Sequence, residues 1–147
     1  MRILTCIGCN LAHKKLPVHV VFENDYVCCI LDHDPYNEGH VLIVTKKHFE
    51  DMDELDAETA SSCFQAASVI SKAVKTLYKP DGITICQNGG VFSELSHFHM
   101  HIVPRYKQQA FAAFYLDDPF DNANLRNKLL KTQTDLKAAI QEINELI

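Results

Sequence analysis

The chain has 147 residues, 47% of them hydrophobic, which suits one domain spanning residues 1–147 with a sizeable core. Its formal charge of −5 argues against a general nucleic-acid binder, which needs a basic face to displace counterions, but leaves room for a small anionic ligand held by a local cluster of imidazoles, N–H groups and a cation or two. No apolar run is long enough for a signal peptide or a membrane span, so a cytoplasmic location without a membrane partner is expected.

Near the start, Cys6-Ile7-Gly8-Cys9 is a C-x-x-C pair, compatible with a metal site or with redox chemistry. The redox reading wants a strand and a helix around the pair, as in thioredoxin-like folds, and the pattern shows no such unit. From His19 to Glu23 and from Tyr26 to Leu31 the chain is rich in Val, Ile and Cys with Asn24-Asp25 between, which predicts a hairpin. After the polar loop Asp32 to Gly39, Val41 to Thr45 reads as a buried strand closed by Lys46-Lys47-His48.

Between Asp53 and Tyr78, Leu55, Cys63, Ala67, Ile70, Val74 and Leu77 recur near the helical period, with acidic residues at the start. The spacing predicts one long amphipathic helix, stopped by Lys79-Pro80 and Asp81-Gly82. Ile83 to Cys86 resumes a strand before the Asn88-Gly89-Gly90 loop, and a last strand runs from about Ser96 to Val103, with Pro104 ending it. From Asn122 to Ile147, Leu125, Leu129, Leu136, Ile140, Ile143 and Ile147 mark a terminal helix, an appendage that packs on the body or on a partner. This order predicts an α+β fold: about five antiparallel strands, one long helix and a C-terminal helix, with the helices on one face. Cys28 and Cys29 are adjacent, and Cys63 and Cys86 lie in apolar patterns, so all four read as free thiols in or near the core. His13, His19 and His33 have no spacing that recruits them and read as surface residues.

The most informative segment is His97-Phe98-His99-Met100-His101-Ile102-Val103-Pro104-Arg105. In a strand, successive side chains point to opposite faces, so the three imidazoles share one face and Phe98, Met100 and Ile102 the other. A helix would split both groups. Imidazoles packed side by side repel or desolvate one another unless something binds them, so the row points to a phosphate, a metal ion, or both in adjoining places. An Arg such as Arg105, just past a strand, is more often solvated.

The string resembles the signature of the histidine-triad family, His-x-His-x-His followed by apolar residues and Pro-Arg. Leu31-Asp32, then Gly39-His40 through Val44 and Lys46-Lys47-His48, resemble the family's second block, and Asn88-Gly89 stands where the family has an Asn-containing loop. The likeness covers roughly residues 1 to 106. It implies binding of a purine nucleoside phosphate such as an AMP or GMP derivative. It further implies transfer or hydrolysis of the nucleotidyl group through a phosphohistidine on His99, with His101 and His40 stabilising charge on the phosphate. Asp32 is then expected to accept from the ribose hydroxyls and Asn88 to touch ribose or phosphate, although Asn88-Gly89-Gly90 reads equally as a plain turn.

The resemblance also implies a symmetric homodimer without a catalytic cofactor. Many bacterial members carry a similar Cys pair, which by analogy makes Cys6, Cys9, His48 and His97 the ligands of a structural zinc; His97 is then divided between metal and phosphate. One departure concerns the residues before the triad. The family has Gly-Gln where this chain has Phe92-Ser93, with Glu94 next, so a different leaving-group contact is expected, and with it a different substrate or slower turnover than in the better-known branches. Two other readings stand beside nucleotidyl transfer: a nucleotide-binding or sensing module with little turnover, and a metal-dependent hydrolase built on the His-x-His pair.

Overall fold

The computed structural model describes residues 5–115 and 121–146. A five-stranded antiparallel sheet runs β1 (Val20–Glu23), β2 (Val27–Leu31), β3 (Val41–Thr45), β4 (Gly82–Cys86) and β5 (His99–Arg105), in the spatial order β1-β2-β3-β5-β4. Because β4 takes the edge, β5 lies between β3 and β4, and its histidines are flanked by a strand on each side. Val44 pairs with His99 and Leu42 with His101 on one side, and Cys86 pairs with His101 on the other.

The two faces of the sheet are covered differently. Val27, Cys29, Leu31, Val41, Ile43, Met100 and Ile102 point into the main core, under α2 (Ala57–Tyr78) and α4 (Leu129–Glu145). In α2 the buried residues Thr59, Cys63, Ala66, Ala67, Ile70, Ala73 and Val74 keep the helical period, and the small ones let the helix lie close to the sheet. The terminal helix packs on the body: Leu136 and Ile140 of α4 are buried in this same core. Cys28, Ile30, Leu42 and Val44 face the other way and meet Ala12 and Leu11 of α1 (Ile7–Ala12). The histidine face is this second one.

Several boundaries differ from the sequence pattern, each for a physical reason. Asp51 caps a single 3-10 turn over Met52–Glu54, the chain extends at Leu55, and Asp56 restarts it by accepting from the Thr59 N–H; α2 therefore begins at Ala57 rather than Asp53. The terminal helix is two pieces, α3 (Ala123–Arg126) and α4, separated at Asn127-Lys128. Pro104 does not end β5 but pairs with Ile83. Its carbonyl accepts from Asn37 Nδ2 at 2.7 Å, on the side where β3 has already stopped, so the missing proline N–H breaks no ladder. The strand starts at His99, three residues later than expected, since Ser96 takes φ +48°.

The C-x-x-C pair does have a helix beside it, the six-residue α1, with Cys6 as its N-cap. Helices therefore lie on both faces of the sheet rather than one. Cys28, Cys29 and Cys63 are buried and Cys86 half-buried, all as free thiols. No helix among the described residues is long and apolar enough to cross a membrane.

Candidate active site and metal centre

Backbone pairing assembles the first group of side chains. The Asp32 N–H donates to the His40 carbonyl, extending the β2–β3 ladder, while β3 and β5 set His101 beside Leu42. The result is a cluster of Asp32, His40 and His101, with the His99 ring 5.1 Å from that of His101. His40, His99 and His101 are 1%, 3% and 8% exposed.

Hydrogen bonds fix the tautomers. The backbone N–H of Tyr36 can only donate, and it lies 3.0 Å from His40 Nδ1, which must therefore accept. Neutral His40 then carries its proton on Nε2 and donates it to His101 Nδ1 at 2.9 Å. His101 in turn presents an Nε2–H. His99 is set the opposite way: its Nδ1–H donates to the His97 carbonyl at 2.8 Å, leaving a lone pair on Nε2. One ring thus offers a nucleophilic nitrogen, and the ring beside it offers a donor.

Burial keeps the relay uncharged. It holds His40 well below its ordinary value and His101 down at about 4, and the neighbouring imidazoles add to the effect. Asp32 is pushed up to about 6, chiefly by burial, against the Asp34 N–H that bonds its Oδ1 at 2.9 Å. Its Oδ2 stands 3.5 Å from His40 Nε2.

The second group forms where the segment after β3 meets the segment before β5, tied by the Phe98 N–H to the Phe49 carbonyl at 2.7 Å. Cys6, Cys9, His48 and His97 converge there. The sulfurs lie 3.4 Å and 3.4 Å from His48 Nδ1, and 3.4 Å and 3.5 Å from His97 Nδ1, with the two Nδ1 atoms 3.3 Å apart. A tetrahedral zinc with ordinary bond lengths has S···N edges of about 3.5–3.6 Å and N···N edges of about 3.3–3.4 Å, so the four donors fit that ion. The Nε2–H of His97 donates to the Thr45 carbonyl at 2.7 Å, which turns the Nδ1 lone pair toward the cluster. Burial and the adjacent Cys6 push the Cys9 thiol up to about 11, a disadvantage that a bound cation would reverse.

Both ring nitrogens of His97 are thereby engaged away from His99 and His101, and it reaches that pair through its carbonyl. Helix α1 comes so near His97 that only glycine fits at position 8: a Cβ there would lie 2.3 Å from His97 Cβ. His13, although exposed, is not idle, since its Nε2–H bonds the Lys46 carbonyl at 2.8 Å and fastens the end of α1.

A HIT domain family model matches residues 13–108. The chain belongs to the histidine-triad, or HIT, family. Similar proteins include an uncharacterized HIT-like protein of Methanocaldococcus jannaschii, 37% identical over 69% of this chain and 80% of the relative. The Bacillus subtilis protein Hit is 33% identical over 86% of this chain and 92% of its own. A hypothetical histidine triad nucleotide-binding protein from Sulfolobus tokodaii superposes with a TM-score of 0.78 at 25% identity, over 97% of this chain and 96% of that one. A zinc-bound histidine triad family protein from Mycobacterium smegmatis shares the fold, with a TM-score of 0.77 at 22% identity, over 98% of this chain and 99% of that one. Two more distant relatives have named activities. One is an adenosine 5′-monophosphoramidase of Saccharomyces cerevisiae, 28% identical over 71% of this chain and 65% of its own length; the other is an adenylylsulfatase of Arabidopsis thaliana, 27% identical over 74% and 56%. The HIT family thus includes nucleotide-binding proteins and hydrolases.

The remaining sequence-predicted residues of this HIT protein are Asn88, Ser93 and Glu94. Carrying the β4–β5 register two residues past Cys86 puts Asn88 level with His99. The loop that follows is pinned by the Gly90 N–H on Asp51 Oδ1 at 2.8 Å, and Ser93 Oγ is buried without a hydrogen-bond partner. Glu94 is exposed, and its charge adds to the upward push on Asp32. The sequence pattern gave no sign of Tyr36 or Thr45, which act through main-chain atoms; Phe114, whose ring lies 5.3 Å from that of His101, was missed beside them.

Proposed function

We propose that this HIT protein is a nucleotide hydrolase or nucleotidyl transferase acting at the α-phosphate of purine nucleoside phosphate derivatives, such as phosphoramidates, dinucleoside polyphosphates or acyl-adenylates. The observation that carries the reading is the pair of opposed tautomers: a lone pair on His99 Nε2 beside an Nε2–H on His101. A neutral imidazole attacks phosphorus without prior deprotonation, and a fixed donor stabilises the charge growing on the phosphoryl oxygens. The phosphorus bond to the leaving group breaks as the Nε2–P bond forms. Water then attacks phosphorus, Nε2 departs with its electron pair, and the nucleoside monophosphate is released. His40 acts one step back, fixing the tautomer of His101. The named activities of the yeast and Arabidopsis relatives, a phosphoramidase and an adenylylsulfatase, support the same class of bond.

Asp32 serves the ribose hydroxyls in this reading, and Asn88, Ser93 and Glu94 serve the phosphate and leaving group; the unpartnered Ser93 hydroxyl is available for such a contact. We assign Cys6, Cys9, His48 and His97 to a structural zinc, which would hold α1 against the triad segment. The rival reading, a catalytic metal on Asp32, His40 and His101, finds its three donors close together. The Tyr36 N–H argues against it, because it leaves the proton of His40 on the nitrogen that would have to bind the ion.

Mixing the protein with adenosine 5′-phosphoramidate and denaturing it without acid should trap an adenylyl adduct visible by intact mass. His99→Ala should abolish that adduct. An undiminished adduct in the variant overturns the assignment, and binding of AMP without any adduct or turnover favours the sensing module.

A further inference from the structure

Beyond β5 the chain doubles back over the histidine face, in a stretch outside the triad signature. Reciprocal amide bonds between Asn37 and Gln109 (2.7 and 2.9 Å) and the Tyr36 hydroxyl on the Ala110 carbonyl (2.5 Å) hold the return. The Arg105 guanidinium, expected to be solvated, instead lies 4.0 Å from the centre of the Phe111 ring. Phe111 and Phe114 stack at 4.8 Å, and Tyr36 meets both edge-on at 5.4 and 5.7 Å. Phe114 is where this cluster touches the site: its ring stands 5.3 Å from that of His101 and 5.8 Å from that of His40.

The cover is thin. Ala112, Ala113 and Tyr115 on the same 3-10 turn are exposed, Tyr115 to 59%, while the imidazoles beneath Phe114 are almost wholly buried. A nucleophile and a phosphate donor need a route to their substrate, and a ring on a short turn opens more readily than the sheet around it.

We propose that Phe114 is a solvent-excluding and positioning residue for the histidine pair: its ring closes the outer side of His40 and His101, keeps water from the relay, and yields to an incoming nucleoside phosphate. The reaction it would guard rests on the function proposed above, but the closure itself does not. The same ring fixes how His101 faces His99, so its loss loosens the donor as well as wetting it.

The test uses diethyl pyrocarbonate without nucleotide, following carbethoxylation of each histidine by peptide mass spectrometry. An imidazole nitrogen attacks the reagent's carbonyl carbon, ethyl carbonate leaves, and that anion breaks down to carbon dioxide and ethanol after protonation. Phe114→Ala should raise the rate at His99, whose Nε2 carries the free lone pair of the two rings, by about ten-fold, the loss of two aromatic contacts, while exposed His33 reacts unchanged. Phe114→Leu should keep most of the protection, which separates closure from a general loss of fold, as a misfolded chain would accelerate at every histidine including buried His97. AMP added to the wild type should slow modification further. Equal rates at His99 in wild type and Phe114→Ala, with His33 as the standard, overturn the proposal. Failure of the adenylyl adduct alone would sink the reaction and leave the closure standing.

Discussion

Replacing Gly8 with alanine sets helix propensity against the packing that joins α1 to the triad segment. Inside a helix, glycine to alanine adds about 1 kcal/mol of stability when nothing stands in the way. Here the new Cβ would fall 2.3 Å from both Cβ and Cγ of His97 and 2.9 Å from Cδ2. Carbon atoms in contact sit about 3.5–4.0 Å apart, so one side must retreat by about 1 Å or more. His97 has little room, being 0% exposed and held through Nε2 by the Thr45 carbonyl. Overpacking of this severity costs about 3 kcal/mol, the upper end of the usual range, leaving a net loss of about 2 kcal/mol once propensity is subtracted. For a chain of this length that lowers Tm by about 4–8 °C. Thermal unfolding of zinc-supplied protein, with metal content measured on the same samples, should show the lower Tm together with reduced zinc retention, because moving α1 spreads the donor set. Gly82→Ala is the control, since no atom lies within 4 Å of a Cβ at that site. An alanine variant at position 8 as stable as the wild type and equally metallated would refute the close approach of α1 to His97.

Acid should destabilise the fold before ordinary carboxylate titration does. His101 is held at about 4 against an ordinary 6.5, and His40 is also lowered, so across that window the unfolded chain takes up protons that the folded chain refuses. Stability then rises with pH between about 4 and 6.5. Asp32 has the opposite sign: raised to about 6 from 3.8, it keeps a proton in the folded chain that the unfolded chain loses, which offsets part of the effect of the two imidazoles. Urea midpoints should therefore fall from about pH 7 to about pH 4.5, less steeply in His101→Asn; a flat wild-type profile contradicts the buried neutral relay. Asp32→Asn should weaken AMP binding about ten-fold or more, with no further loss for the 2′,3′-dideoxy analogue. Calorimetry in which wild type and variant lose equally on removal of the hydroxyls would remove Asp32 from ribose recognition.

The strands and the long helix were legible because their apolar residues follow periods of two and 3.6, which burial on one face imposes. His99 and His101 on one face of β5 followed from that alternation alone. Pro104 was misread for a reason the pattern does not contain: whether proline ends a strand depends on whether a neighbour needs its N–H, and β3 stops short of it. Helix α1 is six residues long, too short to display a period, and its order comes from docking on Ile30, Leu42 and Val44 and from its glycine against His97. The donors and acceptors that set the tautomers were invisible for a different reason. The Tyr36 N–H and the carbonyls of Thr45 and His97 are main-chain groups, the first carried by every residue but proline and the second by every residue, so only their placement distinguishes them. Phe111 and Phe114, three apart just past Arg105, are a side-chain signal that the sequence pattern does offer.

The same device, a carbonyl bound to one imidazole nitrogen, leaves two differently placed lone pairs two residues apart. On His97 the carbonyl of Thr45 takes the Nε2–H, so the free lone pair is on Nδ1 and points at two cysteines and His48. On His99 the carbonyl of His97 takes the Nδ1–H, so the free lone pair is on Nε2. The backbone of His97 therefore belongs to one centre and its ring to the other. A shift of that residue large enough to spoil the donor tetrahedron also moves the acceptor that selects the tautomer of His99. That is why the Gly8→Ala measurement bears on nucleotidyl transfer as well as on stability: the added methyl group pushes on His97, and the first nitrogen to lose its orientation beyond the cluster is the one that would attack phosphorus.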